Sequence, residues 1–190
     1  MPTALVIFPG TGFEEIEALT PIDVLARCGV KMTTASPYED AEDNAEVHVE
    51  GAHNVEMVVE NLTKHMKTTF DAVILPGGMP GAEMLGRDPL VEELVMAHHK
   101  AGKLVCGICA APGMALAKWG VLDGKTATCY PGFEKHFPKT VHHVNEPAVM
   151  DGNVITARGP GAAFQFAHKI AQQLVGEKKA NEVGKGMLFQ

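Results

Sequence analysis

Hydrophobic positions along this chain fall into two registers. Short, continuous apolar runs stand at residues 4–8 (ALVIF), 70–75 (FDAVIL) and 104–108 (LVCGI). Runs of that kind predict parallel strands buried on both faces. Between them the apolar residues recur at helical spacing. Residues 13–28 place Ile16, Leu19, Ile22 and Leu25 or Ala26 on one face and stop at Gly29, which predicts a helix that Pro21 should kink or restart. Residues 30–36 predict a second strand, and residues 89–100 an amphipathic helix closed by Gly102.

Alternation over residues 46–60, broken at Gly51, predicts a small β-ribbon. Residues 37–45 are polar and acidic and read as a solvated loop, and residues 126–140 as short segments rich in turn residues. Residues 148–150 and 153–157 form a hairpin pattern around Asp151-Gly152. Arg158-Gly159-Pro160-Gly161 then opens a final long helix over residues 162–175. Alternating strands and helices of this kind make an α/β chain: a mainly parallel sheet with helices on both faces. No internal repeat or low-complexity linker divides it, so residues 1–190 read as a single domain.

The most informative stretch is KLVCGICAAPGMAL, residues 103–116. An apolar strand ends at Cys109. Ala110, Ala111 and Pro112 follow, and proline is well placed in a first helical turn. Cys109 is therefore expected on a strand-to-helix turn, a nucleophile elbow, with its thiolate favoured by the helix start and its pKa below that of a free cysteine. A buried, inert cysteine is the competing reading. The CGIC tetrapeptide also suggests a dithiol. With Cys106 inside the strand, however, the two Cα atoms stand about 10 Å apart at the usual ~3.3 Å rise, beyond the roughly 7 Å a disulfide spans.

In open α/β sheets, sites lie beyond the strand C-termini. Three chain points fall there: the turn after the first strand with its acidic cluster Glu14, Glu15 and Glu17; Gly77-Gly78 after Leu75; and Cys109. Carboxylates in a first helical turn are ordinarily solvated. One brought beside a thiol in a dry site has its pKa raised and can pass a proton near neutral pH. Glycines at a strand end leave a backbone N–H open to an oxyanion.

Composition narrows the function classes. A net charge of −7 without a basic cluster argues against nucleic acid or an anionic membrane as partner. The N-terminus lacks the basic region of a signal peptide, and no apolar run reaches spanning length. Four cysteines without a regular framework fit a reducing compartment, so the cytoplasm is expected.

Four blocks, ALVIFPGTGFEEIEALTPIDVL, FDAVILPGGMPGAEML, KLVCGICAAPGMAL and ITARGPGAAFQFAHKI, together resemble the DJ-one/ThiJ/PfpI superfamily, on its DJ-one/ThiJ branch. The resemblance is collinear over nearly the whole chain. It implies a flavodoxin-like three-layer α/β/α sandwich and a homodimer. It makes Cys109 the reactive cysteine, Glu17 the carboxyl group beside it, and Gly78 and Ala110 the N–H donors of an oxyanion site. Arg27 and Arg158 match arginines near the dimer interface and the pocket rim. The implied activity is glutathione-independent glyoxalase or deglycase chemistry on a small dicarbonyl or glycated substrate, without cofactor or metal. The alternative is redox sensing or a redox-regulated chaperone function through oxidation of the same cysteine.

The chain departs from the family pattern at several points. Tyr130 stands where many members have histidine, so no Cys–His dyad is expected there, and His136, His142 and His143 read as surface residues. Ala110 replaces the histidine of the protease-like branch. Ala162 replaces the usual threonine. Glutamine amidotransferases need a His-x-Glu downstream of the cysteine, and His48-Val49-Glu50 lies upstream.

Overall fold

The computed structural model describes residues 1–38 and 46–189. The apolar runs become strands: β1 (Thr3–Ile7), β3 (Lys31–Ser36), β6 (Ala72–Leu75) and β7 (Leu104–Ile108). Every residue of β6 is buried, as are Ala4 to Ile7 of β1, which is why these runs lack polar alternation. The ribbon forms as β4 (Glu46–Gly51) and β5 (Glu56–Asn61), paired antiparallel with Val47 opposite Val59. The hairpin forms as β10 (Ala148–Asp151) and β11 (Val154–Ala157).

These strands and one short segment, β2 (Thr11–Phe13), make a nine-stranded sheet of order β10-β11-β7-β6-β1-β3-β5-β4-β2. From β11 through β3 all neighbours are parallel. A second, two-stranded sheet pairs β8 (Thr126–Ala127) with β9 (His142–His143).

One helical group comprises α1 (Glu15–Arg27), α4 (Ala163–Val175) and α5 (Glu177–Gly186), packed on one another. The other comprises α2 (Gly81–Arg87) and α3 (Pro89–Lys100). The result is the flavodoxin-like three-layer sandwich. Asp88 caps α3 by accepting the N–H groups of Leu90 and Val91 at 2.9 and 3.1 Å, the arrangement expected ahead of a proline at the first helical position.

Several expectations need correction. α1 runs unbroken through Pro21, whose ring is buried. Its inward face is also not the one that periodicity selects. Glu15 and Glu17 are buried while Ile16 is 53% exposed, because the strand ends above α1 offer polar partners to the two carboxylates. Residues 11–13 add a strand where a turn and helix start are expected. Of the acidic loop over residues 37–45, residues 39–45 lie outside the described residues. The segment after Cys109 is not a regular α-helix. It winds with wide i→i+5 bonds, Ala117 N–H to Pro112 O at 2.8 Å and Val121 N–H to Leu116 O at 3.0 Å. Helices α2 and α5 form over segments for which the sequence predicts no element.

Candidate active site

β7 ends at Ile108, and Cys109 turns sharply out of the sheet with φ +64°. A non-glycine residue in the left-handed region carries strain of about 1–3 kcal/mol. Two hydrogen bonds hold it there: Cys109 N–H donates to Ala157 O at 2.8 Å, and Tyr130 N–H donates to Cys109 O at 2.9 Å. β11 and the segment after β8 thus clamp the turn from opposite sides. Small neighbours are required, because a Cβ on Gly107 would meet the Leu116 side chain at 2.8 Å. The nucleophile elbow is present as expected, with a π-wound turn in place of the helix.

Glu17 reaches this sulfur from α1, and Gly77 is the hinge between them. The Gly77 N–H donates to Glu17 Oε2 at 2.9 Å. A Cβ on Gly77 would stand 2.5 Å from both the Cys109 Cβ and Glu17 Oε2, so only glycine admits the thiol and carboxyl together. Gly78 has φ +88° and packs against the backbone of Gly12 and Glu14. Its N–H and that of Ala110 lie near the Cys109 sulfur and favour its thiolate. The structure therefore brings Cys109, Glu17, Gly78 and Ala110 into one cluster.

The electrostatics differ from the sequence expectation. Glu17 is 0% exposed. Burial lifts its pKa to about 7, opposed by hydrogen bonds from Cys109 and Gly77. Cys109, 9% exposed, is likewise pushed up, to about 12, by burial first and then by the Glu17 charge, against the pull of the Gly78 and Ala110 N–H groups. The thiol is thus not depressed simply by standing at a helix start, because burial outweighs the local N–H groups. The two groups titrate as a pair. Glu17 Oε1 is buried without a hydrogen-bond partner. Moving the thiol proton onto Glu17 removes the carboxylate charge that opposes the thiolate. It also gives the carboxyl a donor to aim at the sulfur.

The other acidic residues have different roles. Glu15 accepts the His53 N–H at 2.6 Å and meets His53 Nδ1 at 2.7 Å, tying the β4–β5 turn to the start of α1. Nothing in the sequence links these residues. Glu14, Glu15 and His53 offer ligand atoms within 4.8 Å of one another, the one such cluster among the described residues. Glu15 is already committed there to His53. His136, His142 and His143 are exposed. Cys106 lies fully buried in the middle of β7, and all four cysteines are free and buried. Arg27 pairs with Asp23 at 3.0 Å on the exposed face of α1, and Arg158 lines a cavity beside Tyr130.

A family model described as the DJ-1/PfpI family matches residues 3–173. The chain belongs to the DJ-1/PfpI family. It is 39% identical over 188 residues to Protein dj-1beta of Drosophila melanogaster, covering 98% of this chain and 96% of that one. It is 33% identical over 182 residues to a Caenorhabditis elegans protein named glutathione-independent glyoxalase DJR-1.2, covering 95% and 93%. The crystal structure of Drosophila DJ-1beta superposes with a TM-score of 0.89, covering 100% of this chain and 98% of that one at 38% identity. That of oxidized Toxoplasma gondii DJ-1 superposes with a TM-score of 0.91, covering 100% and 99% at 30% identity. The DJ-1/PfpI fold accounts for the sheet order and the elbow. No helix among the described residues is long and apolar enough to cross a membrane.

Proposed function

We propose that this protein is a cofactor-independent enzyme converting small α-oxoaldehydes such as methylglyoxal to 2-hydroxy acids. The observation that carries the reading is the buried Cys109–Glu17 pair, with two backbone N–H groups at the sulfur and a carboxyl group lifted to about 7. The name of the C. elegans relative supports it.

The reaction follows from those groups. The Cys109 proton passes to Glu17, and the thiolate attacks the aldehyde carbon. Gly78 and Ala110 donate to the oxyanion as the C–S bond forms. Glu17 returns its proton to that oxygen, giving a hemithioacetal. The Glu17 carboxylate then removes the hydrogen from the same carbon and delivers it to the neighbouring ketone carbon through an enediol, while the hydroxyl proton moves to the former ketone oxygen. This leaves a thioester of the 2-hydroxy acid. Water hydrolyses the thioester, releasing lactate in the case of methylglyoxal and restoring the thiol. The net change is addition of one water with no external oxidant or reductant. Deglycase chemistry on a glycated substrate would begin with the same attack.

A homodimer in the cytoplasm completes the reading. Exposed Ile16 and Leu19 on α1 and Met79 after Gly78 offer an apolar face beside the site, and four free thiols fit a reducing compartment. A second reading, redox sensing, is favoured by the donors around the sulfur. A protonated Glu17 and the Gly78 and Ala110 N–H groups could hold a sulfinate, and one structural relative is described as oxidized.

The test is lactate formation from methylglyoxal without glutathione. Cys109→Ser is expected to lower kcat/KM on the order of 10³-fold or more. Wild-type protein without multiple turnovers, yet with Cys109 oxidised readily by peroxide, would replace the enzyme reading with the sensor.

A further inference from the structure

The chain has three arginines. Two are paired on their own helices, Arg27 with Asp23 and Arg87 with Glu83. The third, Arg158, meets no carboxylate and no hydrogen-bond acceptor through its side chain among the described residues. It lines a cavity of about 380 Å³ together with Tyr130, Pro131, Asn145 and the Gly159-Pro160 segment. The Tyr130 hydroxyl and the Asn145 amide are likewise without side-chain partners there. No acidic side chain lines this cavity. A second cavity, between α2 and the π turn, holds Arg87 and Lys118, but there Arg87 faces Glu83 and Lys118 Nζ bonds Gly86 O at 2.8 Å. Among the described residues the Arg158 cavity thus combines an uncompensated cation with two neutral hydrogen-bonding groups that have no side-chain partner.

Its position ties it to the chemistry. Arg158 follows Ala157, which accepts the Cys109 N–H, and the Tyr130 N–H donates to the Cys109 carbonyl. One wall therefore begins at a direct partner of the Cys109 backbone, Tyr130, and the other one residue beyond a partner, Ala157, with consecutive Cα atoms about 3.8 Å apart. The Tyr130 ring, 46% exposed, and Pro131 and Pro160 supply flat apolar surface. A guanidinium and two polar groups above an apolar wall suit a carboxylate on a short carbon body.

We propose that this cavity is a specificity subsite, and that Arg158 selects α-oxoaldehydes whose side chain ends in a carboxylate. The proposal rests on the dicarbonyl reading of Cys109 for its reaction, and on the cavity alone for its charge preference. The turnover step remains hydration of R–CO–CHO to R–CH(OH)–COOH, with the second carboxylate as a spectator held by Arg158.

Two measurements test it. The first compares kcat/KM for 4-carboxyphenylglyoxal and phenylglyoxal, in wild type, Arg158→Gln and Arg158→Lys, following the two mandelates. The second needs no turnover. Cys109 is alkylated by iodoacetate or iodoacetamide, each displaced at carbon by the sulfur with loss of iodide, and the anionic-to-neutral rate ratio is read by mass spectrometry.

Arg158→Gln is expected to lower both anionic-to-neutral ratios at least fivefold, the first through KM, with Arg158→Lys in between. A turnover ratio that ignores Arg158 overturns the proposal, as do alkylation ratios equal in wild type and Arg158→Gln. If wild type turns over neither glyoxal while the alkylation ratio still depends on Arg158, the anion site stands and the dicarbonyl reading falls.

Discussion

Glu17 is a fully buried carboxyl group with one backbone donor and a thiol for company. Its proton inventory has a thermodynamic consequence. In the unfolded chain a glutamate releases its proton near 4.5, whereas in the fold the Cys109–Glu17 pair holds it to about 7. The folded state then binds more protons between those values, so this group's contribution to stability is full below 4.5 and is lost as pH rises to about 7. Each pH unit of that window is worth ~1.36 kcal/mol, a loss of roughly 3 kcal/mol across it. Glu17→Gln is expected to flatten this slope in urea melts at pH 4.5 and 7.5, leaving the substituted protein more stable than wild type at the higher value relative to the lower. The same substitution should lower kcat/KM for methylglyoxal roughly 10²–10⁴-fold, as removal of a general acid–base does. Wild-type turnover in Glu17→Gln would assign the proton transfer elsewhere.

The site is also held element against element. α2 packs on the π turn that follows Cys109, and Gly86 is the close point. A Cβ there would collide with the Met114 carbonyl oxygen. Two effects compete in Gly86→Ala. Alanine gains about 1 kcal/mol over glycine in a helix interior. Overpacking against an obstacle costs about 1–3 kcal/mol, and a backbone carbonyl cannot swing aside as a side chain can. The collision should win, with a net loss of about 1 kcal/mol or more in denaturant melts. A gain in stability would show that α2 does not brace the elbow.

At the scale of the whole molecule, the parallel order β7-β6-β1-β3 brings the ends of separate strands to one edge of the sheet. Glu17, Gly77 and Cys109 meet there although they lie far apart in the chain. Flanking Glu17 on α1, Ile16 and Leu19 are exposed apolar side chains. If a second copy covers them, Ile16→Asp introduces an unpaired charge into the interface and should shift the protein from dimer to monomer in sedimentation equilibrium. A dimer of unchanged strength would move the interface off α1, and a monomeric wild type would remove the dimer from the reading.

Local spacing determined a good deal by itself. The strands β1, β6 and β7, the ribbon and the hairpin follow from apolar runs and alternation, because burial on one or both faces acts residue by residue. Cys109 at a strand end followed by small residues and Pro112 is likewise a local pattern, and it marked the elbow. Other features depended on partners distant in the chain. Glu17 and Gly77 are 60 residues apart, and Glu15 and His53 are 38. Those contacts turned two carboxylates inward and left Ile16 outside, against the helical periodicity of α1. They also set the charge state of the pair, since desolvation depends on everything packed around a group and not on its neighbours in sequence. The free guanidinium of Arg158 belongs to the same class. Whether an arginine is paired is decided by which carboxylates the fold brings near it, and among the described residues none pairs with Arg158.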